Sequence, residues 1–131
     1  MKTLFFYFFL ILADFSYAQT INKVDTAAQK FEMKQYWFVM LVRGHNRTHD
    51  SVTSAKIQEG HMANINAMAK SGKLLVAGPF GDDGQWRGIL ILDCKTQTEA
   101  EDMVKKDPAI IAGRLSYEIH PWWTAKNAVF K

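Results

Sequence analysis

Beyond its first eighteen residues, this chain has two runs that are apolar at every position and decide its fold: YWFVMLV at residues 36–42 and ILIL at residues 89–92. Aromatic and β-branched residues fill the first, and both are too short for helices, so both read as strands. A strand with one solvated face alternates apolar and polar residues, because successive side chains point to opposite faces. These two do not alternate. The fold must therefore supply cover on both sides of the strands.

The rest of the chain supplies cover on one side. RGHNRTHDS (43–51) reads as a loop, after which Thr53 caps a helix that Gly72 closes. KLLVAGP (73–79) and WRGILILD (86–93) read as the second and third strands, joined by the turn residues of FGDDGQ. TQTEAEDMVKK (96–106) is a second helix, with Thr96 or Thr98 as its cap and Lys105-Lys106 complementing its C-terminal dipole. Asp107-Pro108 interrupts it, since the residue before a proline is pushed out of the helical region, and AIIAG adds a turn ending at Gly113. RLSYEIHPWW (114–123) is the last strand, with Leu115, Tyr117 and Ile119 alternating against Ser116, Glu118 and His120.

The order β-α-β-β-α-β predicts an α+β fold of ferredoxin-like type: a four-stranded antiparallel sheet with both helices on one face. That arrangement leaves the second face of the apolar strands bare. Stacking two sheets face to face in a homodimer covers it, so a homodimer is expected.

The start of the chain stands apart from this domain. MKTLFFYFFLILADFSYAQT has Lys2 as a short positive region, an apolar run from Leu4 to Ala13, and Ser16-Tyr17-Ala18 as a cleavage site. This is the pattern of a secretory signal peptide, and the run is about half the ~20 residues a membrane span needs. The expected division is a signal peptide at 1–18, a polar extension at 19–34 and one domain at 35–131, in a protein that is exported and leaves the membrane after cleavage near Ala18. The net charge of +3 is spread thinly, with Lys105-Lys106 the one adjacent basic pair in the presumptive domain, so nucleic-acid binding is not expected. Cys94 is the single cysteine and cannot form an intrachain disulfide; burial as a small hydrophobe is its expected role.

The chemistry-bearing candidate is His61, in KIQEGHMANINAM. It lies four residues from both Ile57 and Ile65, in the middle of an apolar helical stripe. Either it is a structural histidine bonded to a backbone carbonyl, or it faces a cavity where its proton is used. The second reading needs a carboxylate to fix the tautomer, and Asp82, Asp83 and Asp107 are the candidates. Asp107 is favoured because both helices lie on one side of the sheet. AGPFGDDG holds Gly78 and Pro79 in a hairpin that edges a pocket at most, and Trp122 offers a flat pocket wall. His45 and His49 have H-x3-H spacing, but in a loop that spacing carries little, and no metal site or cofactor is expected.

In order along the chain, His61, GKLLVAGP, DDG, RGILILD, TEAE, DPAIIAG and PW resemble the YciI-related family over roughly residues 35–125. The resemblance implies a dimeric α/β barrel, related in fold to muconolactone isomerase and antibiotic-biosynthesis-type monooxygenases. It also implies a pocket with a histidine–aspartate pair, matched here by His61 and Asp107. One branch of the family dehydrochlorinates an aromatic substrate, which is proton-transfer chemistry without a cofactor. The expected function is thus a small cofactor-independent lyase or isomerase acting on an organic substrate, with a non-catalytic small-molecule-binding dimer as the alternative. The leader and the 19–34 extension depart from the short cytoplasmic members.

Overall fold

The apolar run at 36–42 forms the middle of a longer strand, β1 (Met33–Arg43), in the computed structural model, which describes residues 32–128. After it come α1 (Ser51–Lys70), β2 (Leu74–Pro79), β3 (Trp86–Leu92), α2 (Gln97–Lys105), the short α3 (Pro108–Ile111) and β4 (Leu115–Ala125). The strands form one antiparallel sheet in the order β2-β3-β1-β4, the ferredoxin-like arrangement. The expected signal peptide at 1–18 and most of the 19–34 extension lie outside the described residues.

Strand alternation divides the sheet into two unlike faces. Trp37, Val39 and Leu41 of β1 and Leu90 and Leu92 of β3 are buried against Met68 of α1 and Ala100 and Val104 of α2. Each fully buried Leu or Val there contributes about 1.5–3 kcal/mol. Cys94 closes the same cluster, its thiol pushed up from the ordinary value by burial and its Sγ 3.7 Å from Met103 Sδ. The intervening residues Phe38, Met40 and Val42 point to the opposite face, beside Ile91 and Ile89 across the β1–β3 register. On β4 that second face carries Ser116, Glu118, His120 and Trp122, the last in edge-to-face contact with Phe38.

Three boundaries differ from the sequence reading. Strand β1 begins at Met33, because Met33, Lys34 and Gln35 pair with Ala125, Thr124 and Trp123, which also extends β4 beyond residue 123. Main-chain pairing needs no apolar side chain, so the hydrophobic pattern does not register these residues. Lys34 is anchored there by Asp93 at 2.6 Å. Helix α1 begins three residues earlier than expected: Asp50 is its cap and Thr53 the donor, with the Thr53 amide 2.7 Å from Asp50 Oδ1. This hydrogen bond holds the Asp50 carboxyl below the usual range. Gly72 follows the end of α1 with φ +73°, the left-handed conformation that favours glycine.

Candidate functional site

The break between α2 and α3 is where the sheet's helical layer acquires a polar interior. Asp107 has extended backbone angles and caps α3, its Oδ1 accepting from the Ala109 amide at 2.8 Å, and Pro108 opens that helix. The second carboxylate oxygen, Oδ2, lies 2.6 Å from Nδ1 of His61 on α1. Asp107 is 2% exposed and is the one buried charged side chain among the described residues, while the His61 side chain is 13% exposed. One carboxylate thus caps the start of one helix and holds an imidazole on another.

Gly60 makes this approach possible. A Cβ built at Gly60 would sit 2.8 Å from Cγ and 3.1 Å from Cβ of Pro108, closer than carbon atoms pack. Any larger residue pushes α3 off α1, and Asp107 is the residue next to Pro108.

Nδ1 being engaged, the other ring nitrogen, Nε2, has no hydrogen-bond partner among the described residues, and it is not a buried atom. His61 lines a cavity of about 460 Å³, within the range of small-molecule sites. Its apolar wall comes from Leu41, Ile65, Leu90 and Leu115, and Gly78 and Pro79 of β2 border it.

The polar wall was not foreseen. Arg47, Arg87 and Arg114 line the cavity, and no carboxylate does. Asp83, in the loop between β2 and β3, reaches Arg87 at 2.9 Å and Arg43 at 2.5 Å. Arg43, and to a lesser degree Arg87, hold the Asp83 carboxyl below its ordinary range. Arg47 and Arg114 have no salt-bridge partner among the described residues. Arg47 Nη1 donates to the Arg114 carbonyl at 3.2 Å, and Arg114 Nη1 donates to Ser54 Oγ at 3.1 Å. Burial first, then repulsion from Arg114, Arg43 and Arg87, pulls the Arg47 guanidinium below its usual value. These arginines come from the β1–α1 loop, β3 and the start of β4, so only the topology gathers them.

The other sequence candidates fall elsewhere. Asp82 and Asp83 are exposed and do not meet His61. Trp122 lies on the sheet face away from the helices and is not part of the cavity wall, because its place in the β4 alternation matches His120 and not Ile119. His49 Nε2 lies 3.4 Å from Asn46 Nδ2, and His45 packs where a Gly113 side chain would be. Among the described residues no three His, Cys, Asp or Glu side chains gather as a metal site would need. None of the described helices is long and apolar enough to cross a membrane.

Comparison with known proteins agrees with this fold. Residues 37–123 match the model of a family described as the YCII-related domain. Among solved structures, the chain is similar to 5-chloro-2-hydroxyhydroquinone dehydrochlorinase from Burkholderia phenoliruptrix AC1100, determined in complex with 2,5-dihydroxybenzoquinone. The two are 19% identical with a TM-score of 0.50, over 66% of this chain and 92% of that one, a likeness of fold. No curated protein matches the chain.

Proposed function

This chain belongs to the YCII-related domain family, and we propose that its His61–Asp107 pair moves a proton on a small organic molecule held in the adjoining cavity, as a cofactor-independent lyase or isomerase. The observation that carries the reading is the division of labour on one imidazole: Nδ1 bound to a buried carboxylate, Nε2 unpaired and His61 on the cavity wall. With Nδ1–H donated to Asp107, the neutral ring presents its lone pair at Nε2 and acts there as a base. Once Nε2 has taken a proton, the carboxylate 2.6 Å from Nδ1 stabilises the imidazolium. Returning the proton at a neighbouring atom is isomerisation; losing an anionic leaving group instead is elimination. Such acid–base catalysis contributes about 10²–10⁴-fold.

The test starts from the chemistry of the Burkholderia enzyme. Purified protein is incubated with 5-chloro-2-hydroxyhydroquinone and chloride release is followed for wild type and His61→Ala. The reading predicts release by wild type and a loss of about 100-fold or more in the variant. Equal release by both proteins contradicts it. Binding of the compound without turnover by either protein favours a ligand-binding domain.

A homodimer belongs to the same reading. Its support is the apolar sheet face opposite the helices, where Phe38, Met40, Val42 and Ile89 are only half-buried. Export belongs to it as well, supported by the apolar run and the Ser16-Tyr17-Ala18 site. An exported product beginning at Gln19 is the expected mass-spectrometric result, and an intact Met1 on exported material contradicts cleavage there.

A further inference from the structure

Three arginines and no carboxylate line the cavity beside His61. Of the four arginines at positions 43, 47, 87 and 114, only Arg43 and Arg87 have an acidic partner among the described residues, Asp83. The two guanidiniums it leaves, Arg47 and Arg114, both line the cavity, and each uses one N–H in the hydrogen bonds given above. A guanidinium carries five N–H donors in a rigid fork that matches a carboxylate. Asp107, beside His61, is buried and committed through both oxygens, to His61 and to the Ala109 amide. A positive wall of this kind destabilises the empty fold by self-repulsion, and a bound anion relieves it.

From this we infer that the substrate or ligand of this cavity is a small organic anion, whose carboxylate or equivalent oxyanion is held by Arg47 and Arg114 while its apolar body packs on Leu41, Ile65, Leu90 and Leu115. The inference rests on the reading of the His61 cavity as the ligand site and adds the class of molecule that fills it. Arg47 and Arg114 bind the anion directly. Arg87, tied to Asp83, holds the β2–β3 loop at the rim and adds long-range attraction. For proton transfer the arrangement has a consequence: a C–H next to a carboxylate bound by two guanidiniums is more acidic than in water, since the charge that develops on loss of its proton is stabilised.

The experiment measures binding by calorimetry for benzoate, cinnamate and succinate, each against its neutral amide: benzamide, cinnamamide and succinamide. The inference predicts that at least one acid binds ten-fold or more tightly than its amide. Arg47→Gln and Arg114→Gln should each erase most of that preference, while Lys126→Gln, outside the cavity, leaves it intact. His61→Ala should keep the preference while losing turnover, so failure of the anion site and failure of the proton-transfer reading give different results. No acid binding better than its amide overturns the inference, as does a preference that survives in the Arg47→Gln, Arg114→Gln double variant. Should the glutamine variants not fold, the arginine Nε–H signals of the wild type decide. A bound acid that shifts neither the Arg47 nor the Arg114 signal also overturns it.

Discussion

Gly60→Ala sets two calculable effects against each other. In a helix interior, alanine is favoured over glycine by about 0.8–1 kcal/mol, so propensity alone stabilises α1. The new methyl, however, meets the Pro108 ring at 2.8 Å, where carbon contacts need about 3.5 Å. Relief requires α3 to retreat by roughly 0.7 Å, because a proline ring cannot rotate away. Carried to Asp107, that shift stretches its 2.6 Å contact with His61 to the edge of hydrogen-bonding range. Overpacking costs about 1–3 kcal/mol and weakening a charged hydrogen bond about as much again, so after the gain in propensity a net loss of roughly 1–5 kcal/mol is expected. For a domain of this size that is a fall of about 5–25 °C in Tm. Thermal melting and the imidazole Nδ1–H signal in proton NMR read the two consequences separately. A rise in Tm with the Nδ1–H signal unchanged would show that α3 is not held against Gly60 and refute the reasoning.

The remaining predictions address separate links. Asp107→Ala removes both the α3 cap and the imidazole's partner and should cost about 2–4 kcal/mol in chemical denaturation, whereas Asp107→Asn keeps the cap and should cost less while lowering turnover as far as His61→Ala does; equal stability of the two variants would mean the cap contributes nothing. Met40→Asp, on the sheet face away from the helices, should halve the mass seen by sedimentation, and a monomeric wild type would contradict the dimer. Asp83 is titrated below the usual carboxylate range in the folded protein, so its contribution is present above the unfolded value near 3.8 and is lost only as pH falls through the lower folded value. Carboxyl carbon NMR should show that displacement, and Arg43→Gln should remove most of it.

The chain's fold was legible because its strands disobey alternation in one place and obey it in another. YWFVMLV demanded two covered faces, whereas LSYEIH showed one, and that contrast fixed both the sheet and its bare side. The His61–Asp107 pair was legible in part: Asp-Pro announced a helix break, and only a break frees an aspartate near a second helix. Gly60 carried no such signal, since a glycine inside a helix reads as a weak position until Pro108 is seen against it. Trp122 was misplaced by its flat, pocket-like side chain, although the alternation of β4 sets it with His120, and the register with Tyr36 places it on that face. The arginines were invisible for a different reason. Residues 47, 87 and 114 are far apart in sequence, and convergence on one cavity is a property of the β2-β3-β1-β4 order.

How the protons of His61 are arranged decides what the pair can do, and nitrogen NMR of the imidazole at neutral pH reads that arrangement without knowledge of the substrate. Protonated Nδ1 and unprotonated Nε2 are predicted in the neutral ring, with the Nε2 resonance moving when an organic acid enters the cavity. A neutral ring protonated at Nε2, with Nδ1 bare beside Asp107 and no response to any cavity ligand, would contradict the claim that this pair is built to move a proton.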